Sequence, residues 1–296
     1  NFEDIEGELK ELNRYSQIFK KLTNPKGNSR FEKLAERLRD MDISTLYPLL
    51  LYVEGDSEIT RVNKDAIYTI LDSYLTRRFL CGLTTKNYNN VFLEYLKFLN
   101  EHKDAESFKT HLQSKTADGN LWPSDNMLLE RLVERPLYRE EKNKTKSISN
   151  ILLEVEQFQR GRKQEQVNFL NTGLHIEHIL PQTWFEHWQL DGQLISAEDF
   201  ELSPYAVRTE DDKEGKFHRI EGRNKMLHSI GNLTILTSSL NPAVSNSSFT
   251  VKKREIGSQS TLIINQYLQD KSDWNEEEIS ERSKFLYQSI SKIWAY

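Results

Sequence analysis

A single cysteine, Cys81, stands in 296 residues, which excludes an internal disulfide and any zinc knuckle built from Cys-x-x-Cys pairs. Long apolar runs are also missing. The nearest, Leu46 to Val53, is short and interrupted by Pro48, against the roughly 18 to 20 residues needed to cross a bilayer. No membrane partner is expected, and a reducing, cytoplasmic setting fits the cysteine usage. The chain lacks a basic start followed by an apolar core, so no signal peptide is read. It opens on Asn1 rather than methionine, and the expectation is a fragment of something longer. Positive charge is in deficit too: 40 Lys and Arg stand against 45 Asp and Glu, for a net charge of −5. Taken alone, that balance argues weakly against a nucleic-acid partner.

What is present is the balance of a soluble globular chain, 37% hydrophobic and 29% charged, long enough for one large or two ordinary domains. Local charge departs from the net value. Between Lys216 and Arg254, seven basic residues (Lys216, Arg219, Arg223, Lys225, Lys252, Lys253 and Arg254) face Glu221 alone, a local charge of +6. The first half reads as successive amphipathic helices. Tyr88, Val91, Phe92, Tyr95, Leu96 and Leu99 follow the helical period, as do Phe31, Leu34, Leu38 and Met41, then Ile67, Ile70, Leu71, Tyr74 and Leu75. Turn-forming residues at Asn24 to Asn28, Gly82 to Thr84 and Leu121 to Asp125 separate them.

The expected fold is therefore mainly α, an all-helical region over residues 1–143 followed by an α+β region over 144–296, with the polar stretch Arg139 to Lys146 as the boundary. In the second region the period changes. His175-Ile176-Glu177-His178-Ile179 and Asn232 to Thr237, bounded by Gly231, read as two short strands. About fifty residues lie between them and read as irregular or partly helical. The chain ends in a helix with Asn275 as its N-cap and Glu276 to Glu278 in its first turn.

Hydrolysis of a phosphodiester needs a base to generate hydroxide, a cation for the charge of the transition state, and help for the leaving 3′ oxygen. Glu177-His178, followed by Pro181, then Asn232 and Asn241 nine positions apart, resemble in type and order the active site of an HNH (ββα-metal) endonuclease. The spacing of the two asparagines is similar to that in the HNH domain of RNA-guided CRISPR nucleases. The resemblance implies His178 as general base, Asn232 as the residue that orients it, and Asn241 with Glu177 holding one Mg²⁺ or Mn²⁺ through oxygen ligands. His175 shares a strand face with Glu177 and is either a ligand or a neighbour. Lys252, Lys253 and Arg254 would hold DNA phosphates, which positions the strand without reading its sequence. Products with a 5′ phosphate and a 3′ hydroxyl are implied by the same family.

Each element also has a plainer reading. A Glu-His pair on a strand is usually a solvated edge, and a Lys-Lys-Arg run a solvated face. Asn241-Pro242 fits an N-cap with proline at the first helical position, which keeps Asn246 open as the third metal-site residue. His228, just before the second strand, is either packing or catalytic. The ordered set is more specific than any of its parts.

The closest resemblance is to the C-terminal nuclease domain of GmrSD-type modification-dependent restriction endonucleases. It is carried by His175 to Gln182, Ile230-Gly231-Asn232-Leu233-Thr234, Asn241, Ser245-Asn246, Phe249 and Lys252, with Arg77 to Leu83 resembling the helical region ahead of that nuclease. The resemblance implies a metal-dependent DNA endonuclease of anti-phage defence, acting on phage DNA. It also implies a nucleotide-hydrolysing sensor domain ahead of the helical region, for which the first residues show no counterpart. A role of the helical region in sensing or in homodimer formation is implied only by the family. The rival reading is a non-catalytic DNA-binding or assembly module that keeps the HNH fold.

Overall fold

The computed structural model of the protein describes residues 5–160, 174–209, 215–237 and 246–296. It is mainly helical, 68% helix, with one small two-stranded antiparallel sheet, as the sequence periods predict. Two compact units are present, one formed by Asn1–Asp125 with Trp294–Tyr296 and the other by Asn126–Ile293.

The first unit contains α1 (Ile5–Thr23), α2 (Arg30–Asp40), α3 (Tyr47–Gly55), α4 (Arg61–Cys81), α5 (Tyr88–His102) and α6 (Ala105–Gln113). Side-chain caps set several starts. Ser29 accepts from the Glu32 amide while the Glu32 carboxylate takes the Ser29 hydroxyl and the Gly27 amide, and Asp104 accepts from the Ser107 amide at 2.8 Å. The stripe predicted for α5 is the buried one: Tyr88, Val91, Phe92, Tyr95 and Leu99 face the core.

At the end of α4, Arg77 and Arg78 are fully buried. Arg77 donates to the Trp294 carbonyl at 2.6 Å, the Pro123 carbonyl at 3.0 Å and the Asp125 carboxylate at 2.6 Å. Arg78 donates to the carbonyls of Leu121 and Thr84, both at 2.6 Å, and of Asp118 at 3.1 Å. Two guanidinium groups thus satisfy the carbonyls of segments that have no ladder of their own. Gly82 then ends the helix in the left-handed region, φ 71°, with the Leu83 amide returning to the Arg78 carbonyl.

The second unit runs through α7 (Asp125–Glu134), α8 (Leu137–Glu140), α9 (Thr145–Gln159), β1 (Leu174–His178), α10 (Ala197–Thr209), α11 (Lys216–Leu227), β2 (Leu233–Thr237), α12 (Phe249–Gln259), α13 (Ile263–Gln266) and α14 (Glu276–Ile293). The strands pair antiparallel, with His175 opposite Leu236, Glu177 opposite Thr234 and His178 opposite Leu233. The segment between them does more than decorate the surface. Trp184, Trp188, Leu190, Ile195, Ile220 and Leu227 pack with Ile179, Leu180, Phe249, Trp274 and Ile279 in one core. Part of this segment is α10 itself, with Pro204 inside it. Asn275 caps α14, accepting from the Glu278 amide at 3.1 Å.

Gly231, one residue before Asn232, lies flush against α14, and a Cβ there would overlap the Ile279 carbonyl oxygen and Ser283 Oγ. Because backbone cannot yield as a side-chain tip can, Gly231→Ala is expected to lower unfolding free energy by about 2 kcal/mol or more. Urea denaturation checks this; a variant as stable as the parent would contradict the close approach.

Candidate active site

The end of β1 and the start of β2 meet around one buried carboxamide. Asn232 occupies a single 3-10 turn, Ile230–Asn232, immediately before β2, and has no solvent exposure. Its Oδ1 accepts from the Leu180 amide at 2.7 Å and from Trp274 Nε1 at 3.0 Å. Its Nδ2 donates to the carbonyls of Leu180 at 2.9 Å and Leu227 at 2.8 Å. The Ile179 amide donates to the Asn232 carbonyl at 2.9 Å. Residues 179 and 180, which follow His178, are therefore fixed by both the main chain and the side chain of one residue. Arg282, fully buried on α14, holds that residue from either side by donating to the Gly231 and Leu233 carbonyls at 2.8 and 2.7 Å.

His178 is only 6% exposed. Its Nε2 lies 3.1 Å from Nδ1 of His228. The Tyr138 ring meets His178 edge-on at 4.6 Å and stacks on His228 at 5.9 Å, and the Tyr138 amide donates to the His228 carbonyl at 3.0 Å. Burial pulls the His178 pKa down to about 3, with the neighbouring His228 and Lys252 adding to the effect. Burial, then the charge of Arg139, pulls His228 down to about 4. Both imidazoles are accordingly neutral near neutral pH. The sequence left His228 between packing and chemistry; the structure sets it against His178. Tyr138 carried no sequence signal, since it precedes β1 by 36 positions and lies just ahead of the polar stretch Arg139 to Lys146.

Glu177 faces away from this pair and meets Lys252. The Lys252 side chain is fully buried on α12, and its ammonium donates to Glu177 Oε1 at 2.7 Å and to the His178 carbonyl at 2.6 Å. Burial raises the Glu177 pKa and lowers that of Lys252, each opposed by the charge of the other. Lys252, expected to hold a DNA phosphate, has no surface to offer one, because the apolar packing of α12 turns it inward. Lys253 donates to the Lys271 carbonyl at 2.7 Å, and exposed Arg254 pairs with Glu255 at 2.9 Å. The basic segment is locally balanced in space as well. Lys216 pairs with Asp199, Arg219 with Asp191 at 2.8 Å, and buried Arg223 with Glu276 at 2.5 Å.

His175 is exposed on β1, on the Glu177 side by the alternation of the strand. Asn241 lies outside the described residues, and Asn246 is exposed just ahead of α12. Among the described residues no three His, Cys, Asp or Glu side chains converge in a way that would hold a metal ion. With an ammonium already on Glu177, these residues do not by themselves fit a divalent cation.

The family model for GmrSD restriction endonucleases, C-terminal domain, matches residues 122–289, more than half of the chain and both strands of the site. No curated protein matches the chain.

Two expectations follow from this geometry. Asn232→Asp keeps the shape but sets carboxylate oxygens against the Leu180 and Leu227 carbonyls. With each lost buried bond costing about 1–3 kcal/mol, the variant is expected to lose several kcal/mol in urea denaturation, and a loss below about 1 kcal/mol would contradict the bonding. The histidine pair sets the acid limit. Folded pKa values near 3 and 4 lie below the unfolded value of about 6.5, so the unfolded chain binds more protons at acid pH. Stability is then fully present above about pH 6.5 and falls as the pH drops toward 4. Unfolding free energy measured across that window should decline less in His228→Asn than in the parent.

Proposed function

The chain belongs to the GmrSD restriction endonucleases, C-terminal domain family, and from that membership we propose that it hydrolyses DNA phosphodiester bonds with His178 as general base. The family carries a restriction-nuclease role, a DNA substrate and a divalent metal; the residues, the ion and the chemistry are our reading. The observation that supports it most is the fixing of the segment after His178 by Asn232 inside the matched region.

In a neutral pair, one of the two facing nitrogens carries the proton. With Nε2–H of His178 donating to His228 Nδ1, the lone pair of His178 Nδ1 is left to take a proton from water. A base whose pKa is held near 3 is weak in the free protein. A DNA phosphate brings negative charge, which favours the imidazolium and raises that pKa when substrate arrives. Asn232 keeps the imidazole's backbone in place, and hydrolysis leaves a 5′ phosphate and a 3′ hydroxyl. Mg²⁺ or Mn²⁺ is the ion we propose, with Asn241 as a ligand. A modification-sensing, nucleotide-hydrolysing partner domain, phage DNA as target, a homodimer and a cytoplasmic setting complete the reading.

Plasmid nicking with Mg²⁺ or Mn²⁺ tests it. His178→Ala is expected to slow cleavage by about 100-fold or more, and a chelator to abolish it. Equal cleavage by the variant would sink the assignment; a gel shift without cleavage under either metal would leave a DNA-binding module.

A further inference from the structure

We infer that Lys252 is a positioning residue of the nuclease site, an internal clamp joining α12 to the end of β1, and not a DNA-phosphate contact. The inference rests on the nuclease reading of His178. It starts from one ammonium with two acceptors on adjacent residues: the Glu177 carboxylate at 2.7 Å and the His178 main-chain carbonyl at 2.6 Å. Both distances are those of strong charge-assisted bonds. The Lys252 side chain has no solvent exposure and that of Glu177 is 11% exposed, so neither group is available to a phosphate without moving α12.

The carbonyl end of the clamp completes a series. The Ile179 amide is held by the Asn232 carbonyl, and the Leu180 amide and carbonyl by the Asn232 side chain. A further polar group beside the imidazole, the His178 carbonyl, is held by Lys252. Asn232 thus fixes the backbone after the histidine from the β2 side, and Lys252 fixes the histidine's own carbonyl from the α12 side. Rotation of that peptide would swing the imidazole out of line with His228, 3.1 Å away.

The Glu177 end of the clamp has its own consequence. A carboxylate neutralised by a buried ammonium attracts a cation less than a free one. The clamp accounts for a glutamate beside the histidine without requiring it to be a primary metal ligand.

The test separates the two roles of Lys252. In the wild-type protein, acetylation by an amine-reactive reagent is read residue by residue by mass spectrometry, with and without DNA. A clamp lysine stays unlabelled in the folded protein in both arms and reacts once urea unfolds it. Labelling at the rate of surface lysines, with protection by DNA, would overturn the inference. In the same protein, Lys252→Met is compared with His178→Ala for kcat, KM and the salt dependence of DNA binding. The expected result is a kcat at least tenfold lower in folded Lys252→Met, with KM and the slope of log K against log salt unchanged. A phosphate contact would instead raise KM, leave kcat intact and reduce the slope by about 0.9. Wild-type kcat in Lys252→Met alongside an inactive His178→Ala would overturn the clamp and leave the nuclease reading standing. An active His178→Ala would remove the reading itself. Should Lys252→Met fail to fold, the labelling result decides on its own.

Discussion

The second unit depends on a carboxamide that spends its whole bonding capacity inside the protein. Asparagine offers two donors and two acceptor positions, and Asn232 uses all four: Leu180 takes one of each, Trp274 the second acceptor position and Leu227 the second donor. No shorter or singly functional side chain can match an amide and a carbonyl of the same residue at once. The elements around it follow. Gly231 lies against α14, Arg282 braces the peptides on both sides, and Trp274 stacks with Phe249 on α12. With each orphaned buried group costing about 1–3 kcal/mol against a total stability of about 5–15 kcal/mol, one residue carries a large share of the fold's margin. It carries the position of His178 by the same bonds.

Charge inside the unit is arranged on the same principle. Lys252, Arg282 and Glu156 are fully buried, and hydrogen-bond partners take the place of water on each, with Arg282 Nε alone left without one among these three groups. Glu156, for example, takes the Ile264 amide at 2.9 Å and Arg160 Nε at 2.6 Å. Removing both members of such a pair is often tolerated, whereas removing one strands a charge in apolar surroundings. These buried charges therefore act as geometric specifications. Glu156 joins α9 to α13, Arg282 joins α14 to β2, and Lys252 joins α12 to β1. The small sheet, too short to be stable by its own ladder, is held from its surroundings by charged side chains and by apolar packing.

Much of this was legible in the sequence because it is local. The stripe at Tyr88 to Leu99, the alternation of residues 174–178, the β-rich run at 233–237, Gly82 as a helix stop and Asn275 as a cap each depend on near neighbours in the chain. The family-bearing residues were legible as an ordered set. What escaped is non-local. A run of Lys252-Lys253-Arg254 looks the same whether it faces solvent or not, and only the packing of α12 decides that Lys252 points inward. The charge of +6 counted along the chain meets Asp191, Asp199 and Glu276 in space. The Trp-rich segment between the strands reads from sequence as irregular or partly helical because its apolar residues keep no sustained period; it is helical in part, as α10 and α11, and it fills the core. Arg77 and Arg78 stand out in the sequence as a motif, but their reason, the unladdered carbonyls of residues 118–123 and 294, appears only once the chain is folded.

The neutral imidazole pair ties these strands together. An exposed histidine would have a pKa near 6.5 and would spend part of its time as imidazolium, unable to accept a proton. Burial of His178 against Tyr138 and His228 removes that loss but also weakens the base. On the proposed reading the deficit is made up by the substrate, whose phosphate stabilises the protonated form only while it is bound. Basicity then appears where and when there is a phosphodiester to cut. Such a design demands that the imidazole not relax toward solvent in the interval, since a small rotation would rehydrate it and restore an ordinary pKa. That demand gives a physical reason for holding the peptides of residues 178 to 180 by Lys252 and Asn232, and for building both holders from side chains that are themselves wholly buried.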